Sequence, residues 1–245
     1  MQRRNPLGQP IGRPVEGWQP ARPLERSPIV GSRCRLEPLD ADRHAEALHR
    51  AYAEDGDERH WTYLPYGPFP SSSAYRAWVE GCQRAASDCF FAIVDAARET
   101  PIGVAAYLRV SPDTGSIEVG HLRYAAALQR TPASTEAMYL MMRRVFDDWG
   151  YRRYEWKCDS LNAPSRAAAQ RLGFRYEGVF RNALVIKGRN RDTAWFSITA
   201  EEWPDIRRAL EAWLEPANFD GEGRQRKRLR HWMPATAGTP IVSDL

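Results

Sequence analysis

A lone helical segment set between two strand patterns constrains the fold of this chain more than any other feature. "SIEVGHLRY" (116–124) and "YRRYEWKC" (151–158) read as strands. Between them, residues 133–149 place Met138, Met141, Met142, Val145 and Trp149 on one face at three- to four-residue spacing, the period of a helix. A strand–helix–strand unit is a crossover, whereas strands joined by tight turns are antiparallel neighbours. Upstream, "DCFFAIVD" and "IGVAAYLRV" are two further strands, and "SPDTGS" joins the second of them to 116–124 as a hairpin. Hairpins and one crossover in a single sheet make it mixed, so the class is α/β or α+β.

The remaining elements fit around that sheet. "SRCRLEPL" reads as a strand and Ala41–Tyr52 as a helix. Ser73–Ala86 reads as a second helix with Ser71 or Ser72 as its cap. "APSRAAAQRL" is a short helix stopped by Gly173. Strands at 174–187 and 192–199 flank the turn "GRN", and a helix over 201–214 closes the domain. This divides the chain into a proline-rich arm (1–30), a domain (31–215) and a basic extension (216–245). The arm carries Ile11, Val15, Trp18, Leu24 and Ile29, which a free linker would not need. It is therefore expected to pack on the domain or on a partner subunit, and a homodimer is left open.

Composition excludes some functions. No apolar run approaches the ~20 residues of a membrane span, and the N-terminus has no apolar core of a secretory signal. Cys34, Cys82, Cys89 and Cys158 form no C-x-x-C pair and the histidines are scattered, so no metal site is expected and reduced thiols in the cytoplasm are the default. The net charge of +4 suits anionic ligands. The basic run Arg224–Arg230 has few interleaved aromatics and reads as solvated, which makes nucleic acid an unlikely partner.

"LQRTPASTEA" (128–137) has the chemistry of a phosphate-binding helix start, without glycine. Thr131 can cap the helix. Pro132 then sits at the first helical position, where its missing N–H was an orphan in any case. The amides of Ala133, Ser134 and Thr135 would point at an anion along the helix dipole. Arg130, Thr131, Ser134 and Thr135 add a charge and hydroxyls. A merely capped helix start explains the same residues.

The stretch 115–199 resembles the GNAT superfamily of acyl-CoA-dependent N-acyltransferases, and most closely its ribosomal-protein N-acetyltransferase (RimJ/RimL-type) branch. Gln129–Ser134 stands in the place of that family's Q/R-x-x-G-x-G/A pyrophosphate motif, with Pro132 and Ser134 departing from it. "NAPSRAAAQRLGFRYEG" (Asn162–Gly178) is similar to the branch's N-x-x-S…A-x-R-x-G-F-x-x-E-G pattern at nearly every defining position. The resemblance implies a GNAT fold: a single mixed, mostly antiparallel sheet whose two central parallel strands, 116–124 and 152–158, splay apart and admit the cofactor's pantetheine arm. It implies acetyl-CoA as co-substrate, held by Leu122, Gln129, Arg130, Thr131, Ala133, Ser134, Thr135, Asn162, Ser165 and Arg166. It implies direct transfer to an amine in a ternary complex, the amine belonging to a protein N-terminus or a small molecule.

For the chemistry, the resemblance puts Glu118 where a general base often stands; an acid that orients a neighbour or pairs with an arginine explains it equally. Ser165 becomes the candidate proton donor to the leaving thiolate, against a plain first-turn helix residue. The tyrosine that many family members use as acid is replaced by Ala169, with Tyr176 and Tyr139 as distant alternatives. Asn162 suits both a helix cap and a pantetheine contact. Arg171 reads as solvated. Trp61, Tyr63 and Tyr66, in "HWTYLPYGPF", are candidates for the acceptor wall, although core packing accounts for them too. The hairpin tip "IKGRNRDTAW" is cationic and could face an acidic acceptor. The departures at Pro132, Ser134 and Ala169 keep a second function in view: a non-catalytic acyl-CoA sensor or interaction module.

Overall fold

The computed structural model describes residues 3–235 and 237. Eight strands form one sheet: β1 (Ile29–Val30), β2 (Cys34–Pro38), β3 (Cys89–Asp95), β4 (Thr100–Ser111), β5 (Ser116–Tyr124), β6 (Arg153–Asp159), β7 (Arg175–Ile186) and β8 (Arg189–Thr199). Their spatial order is β1-β2-β3-β4-β5-β6-β8-β7. Every neighbouring pair is antiparallel except β5 and β6, which are parallel and joined by the crossover. The helices are α1 (Ala41–Ala53), α2 (Ser72–Arg84), α3 (Pro132–Arg143), α4 (Ala163–Arg171) and α5 (Trp203–Leu214).

Strand alternation assigns the helices to faces. Phe90 meets Trp78 of α2, while its neighbour Phe91 meets Tyr107, whose hydroxyl donates to the Met141 carbonyl of α3. So α1 and α2 cover one face and α3 the other. α1 buries His44, Ala45, Leu48 and Tyr52 at helical spacing and starts at Asp40, whose carboxylate accepts from the Arg43 amide. Ser71 caps α2 in the same way.

The helix expected over 133–149 changes character at Arg144, where a π turn runs to Asp148. The wider turn lets Phe146 stack on Trp203 at 5.2 Å and Asp147 accept from the Trp203 indole at 2.7 Å, so α3 and α5 lock together.

Both flanking segments make contacts with the domain. The amides of Ala21 and Arg22 donate to the carbonyls of Pro112 and Trp149. The Trp18 indole donates to the Asp113 carbonyl, and Arg26 donates to the carbonyls of Gln83 and Asp88. β1, inside the arm, adds a strand to the sheet edge that was not expected. At the other end Leu229 is fully buried, the Trp213 indole donates to Gln225, and Lys227 lies over the Trp232 ring at 4.4 Å. The run 224–230 is therefore folded against α5 in part rather than wholly solvated. The last eight residues of the extension, 238–245, lie outside the described residues.

Candidate active site

β5 and β6 pair only from Ser116–Arg153 to Val119–Trp156, yet β5 continues to Tyr124 and β6 to Asp159. Beyond Val119 the facing backbone groups of the two strands have no ladder partner. A bulge sharpens the parting: two residues of β5, His121 and Leu122, oppose the single Ala105 of β4, and His121 takes a left-handed φ of 53°. Bulges bend a strand and re-aim its side chains. The strands thus splay where the sheet meets two helix starts, those of α3 and α4.

At the first start Thr131 is the N-cap and Pro132 opens α3. Thr131 Oγ1 accepts from the Ser134 amide at 3.2 Å and donates to the Leu128 carbonyl at 2.7 Å; Ser134 Oγ returns a bond to the Thr131 carbonyl at 2.7 Å. The expectation that the Ser134 amide is free is therefore corrected, because the cap uses it. Ala133, at the second helical position, has no carbonyl behind it to pair with. Arg130 is exposed, has a left-handed φ of 60°, and makes no ion pair among the described residues. Thr135 is buried and accepts at Oγ1 from Arg171, whose guanidinium also lies over Trp213 at 5.1 Å. Arg171 was read as solvated; it is exposed, and its guanidinium also ties α4 to the start of α3. The Gln129 amide holds the Tyr124 carbonyl at 2.9 Å and so shapes the turn from within.

At the second start Asn162 Oδ1 accepts from the Ser165 amide at 3.1 Å. The Trp156 indole donates to Ser165 Oγ at 3.0 Å. The serine oxygen is thereby held while its own proton stays free to point elsewhere. Cys158 is the other neighbour: burial raises its thiol pKa and the Ser165 hydroxyl draws it back. Arg166 donates to the Ser160 carbonyl at 3.1 Å and is exposed. Tyr139 is committed to Glu211 at 2.7 Å, and Tyr176 packs on Phe196.

Glu118 is buried on the α1/α2 face. Its Oε2 accepts from Arg109 at 2.8 Å and from Lys157 at 2.9 Å. Lys157 also meets Glu155 at 2.8 Å and lies over the Trp195 ring at 3.7 Å. Arg153 extends the row, bonding Glu155 and Glu177. Burial pushes the Glu118 carboxyl above the usual carboxylate range, and Lys157 and Arg109 pull it part of the way back. Next to it Gly120 is bare: a Cβ there would lie 3.7 Å from Glu118 Oε1 and 2.9 Å from Leu108. On the other side of Gly120 is His121.

Of the expected acceptor wall, Tyr66 reaches this place. Its ring stacks on His121 at 5.6 Å and its hydroxyl meets His121 Nδ1 at 3.2 Å. Trp61 is core: it is buried against Tyr52 and Phe69, with the Arg123 guanidinium over its ring at 4.7 Å. Tyr63 bridges to the β6–α4 loop through the Leu161 carbonyl. The cationic hairpin tip reaches the α1–α2 loop that carries Tyr63, since Lys187 Nζ donates to the Trp61 carbonyl at 2.8 Å.

Sequence reasoning missed Lys157, Arg109, Trp156 and His121. Lys157 and Glu155 alternate on one strand and could have been placed on one face, but their meeting with Glu118 depends on the β5–β6 register. His121 stood in plain view as the one histidine of a strand expected to line the gap.

A mixed sheet whose central parallel pair opens onto two capped helix starts is the GNAT architecture. The comparisons agree: residues 33–175 match the Acetyltransferase (GNAT) domain family, and the chain belongs to that family. It is similar to a GCN5-related N-acetyltransferase from Brucella melitensis, with 42% identity, TM-score 0.87, and 89% of this chain and 99% of that one covered. It is also similar to a "probable acetyltransferase (GNAT family)" from Chromobacterium violaceum, with 40% identity, TM-score 0.74, and 80% and 98% covered. RimL, a ribosomal L7/L12 alpha-N-protein acetyltransferase, shares the fold at 20% identity and TM-score 0.59 over 69% of this chain and 92% of that one. No curated protein matches. Among the described residues no helix is long and apolar enough to cross a membrane, and no group of histidine, cysteine and acidic residues could hold a metal ion.

Proposed function

We propose that the protein transfers an acetyl group from acetyl-CoA to a primary amine by direct attack in a ternary complex. The observation that carries this reading is the end of β5–β6 pairing at Val119–Trp156, directly between the two helix starts. The unpaired backbone groups of both strands suit a pantetheine chain of amides, which pairs as a strand does. The start of α3 suits the pyrophosphate: the Ala133 amide, the dipole and Arg130 all favour an anion.

The residues then take separate roles. The amine enters from the α1/α2 face as an ammonium, and Glu118 Oε1, the oxygen not taken by Arg109 and Lys157, draws it in and orients it. Once the amine has lost a proton it attacks the thioester carbonyl, and the tetrahedral intermediate collapses with CoA thiolate as leaving group. Ser165 hands its proton to the thiolate as it takes up the second proton that the nitrogen sheds on collapse, its oxygen fixed by Trp156. Arg166 and Asn162 flank the cofactor. The acceptor class inherited from the RimJ/RimL resemblance is a protein N-terminus, with small amines as the other option.

Calorimetric titration with acetyl-CoA, followed by amine-dependent release of free CoA read with a thiol reagent, tests this. Binding and release across a panel of N-terminal peptides and small amines are expected. Binding without release for every amine would make the chain an acyl-CoA sensor, and absence of binding would make it an interaction module.

A further inference from the structure

We infer that His121 is the group that takes the proton from the acceptor amine, with Tyr66 as the residue that positions it. This rests on the acetyl-transfer reading and adds the proton's first destination.

Three geometric facts carry it. The bulge in β5 turns His121 onto the face that holds Glu118, at the point where β5 leaves β6. Gly120, between the two, puts no side chain over the carboxylate: Leu108 fills the place where a Cβ would lie, 2.9 Å away, and Glu118 Oε1 is 3.7 Å from it. The imidazole is fixed on three sides: Tyr66 stacks on it, Phe90 lies 4.8 Å from it, and Tyr66 Oη meets Nδ1 at 3.2 Å. In the tautomer this role requires, the ring carries its proton on Nδ1 and donates it to Tyr66, which keeps the Nε2 lone pair for a proton.

Charge balance separates His121 from Glu118. A proton placed on Glu118 would neutralise the carboxylate that both Lys157, its side chain buried and shared with Glu155, and the exposed Arg109 meet, weakening two charge-assisted bonds at once. A proton placed on His121 makes an imidazolium that the field of Asp88 favours and that of Arg109 opposes. The other group facing the ring, the Tyr66 hydroxyl, is held neutral by burial. Burial also lowers the pKa of His121, so it is neutral and ready at pH 7. The step balances: one ammonium N–H bond breaks and its proton goes to Nε2; the electron pair left on nitrogen forms the N–C bond to the thioester carbon, whose π pair moves to oxygen and returns as the C–S bond breaks and releases CoA thiolate.

Two measurements test this. In 15N-histidine-labelled full-length protein, long-range proton–nitrogen spectra are expected to show His121 neutral at pH 7 and protonated at Nδ1, and Tyr66→Phe is expected to alter that signal. A Nε2–H tautomer or an imidazolium at pH 7 overturns the assignment. In the CoA-release assay with the best amine of the panel, His121→Gln is expected to lower kcat about 10²–10⁴-fold, to leave acetyl-CoA affinity unchanged, and to remove the acid limb of the kcat/KM–pH profile. Tyr66→Phe is expected to move that limb and to lower kcat, by less than His121→Gln does. A His121→Gln enzyme with near-full turnover and an intact acid limb overturns this inference alone. A wild type that releases no CoA with any amine overturns the acetyl-transfer reading as well.

Discussion

The two helix starts that flank the strand gap are built alike and embedded differently. Each follows one strand of the parallel pair, each has a proline in its first turn, and each is closed by a side chain that accepts from the amide three residues on. Around α3, however, nine residues of the helix are buried, while α4 buries only Ala169. The α3 start is part of the scaffold and the α4 start is a thin lip on it. Damage at α3 should therefore show in stability and cofactor binding together. Damage at α4 should show in turnover with little loss of stability.

The largest effect that tests this contrast comes from Glu136, one turn into α3. Its buried carboxylate accepts from the amides of Arg33 and Cys34 at 2.7 and 2.9 Å and from the Ser32 hydroxyl at 2.6 Å. Gly31 is bare because a Cβ there would sit 2.6 Å from that carboxylate. Glu136→Ala strands these donors, each at about 1–3 kcal/mol. A loss of at least about 3 kcal/mol in urea unfolding is expected. A loss below 1 kcal/mol would remove α3 from the scaffold role.

Next in size is Ser165→Ala on α4. Turnover is expected to fall about 10²-fold or more, with acetyl-CoA affinity and unfolding midpoint almost unchanged. A parallel fall in stability would mean that Ser165 matters through its bond to Trp156 instead. Ser134→Glu follows, at α3. It puts a negative charge against the pyrophosphate and should weaken acetyl-CoA binding at least about tenfold, or ~1.4 kcal/mol. Unchanged affinity would take the pyrophosphate away from this helix.

How far the sequence could be read follows the same division. Local signals were enough for the caps Thr131 and Asn162, for a serine cap at 71 or 72, for the crossover, and for the hairpins, because each depends on residues within a few positions of one another. The gap itself rested on resemblance, since no local pattern says where two parallel strands stop pairing. Register was the hidden variable at the site. Glu118 in "SIEVG" could be read as a general base or as an acid paired with an arginine; the left-handed turn in β4 supplies that arginine, Arg109, and β5–β6 pairing adds Lys157. Long-range packing decided the rest: the exposed Arg171 lies over Trp213 of α5, and of the two readings of Trp61, acceptor wall or core, the contact with Tyr52 of α1 selects the core.

The smallest expected effects belong to the two prolines, and they sharpen the comparison most because two terms nearly cancel. Pro132→Gly restores an amide at the first position of α3, where it can reach a phosphate oxygen, and one such bond is worth about 1 kcal/mol net. It also frees the unfolded chain, which costs about 0.4–1 kcal/mol of stability. Acetyl-CoA affinity should therefore change by less than about tenfold, with a small drop in melting temperature. Pro164→Gly at α4 meets the same entropy cost without a buried helix to resist it, so fraying there should lower turnover more than it lowers the melting temperature. Measuring both variants side by side isolates the embedding of the helix from the chemistry of the turn. If Pro132→Gly instead tightened acetyl-CoA more than tenfold, the missing amide would have been limiting binding, and the α3 start would be a compromised phosphate site rather than a stiffened one.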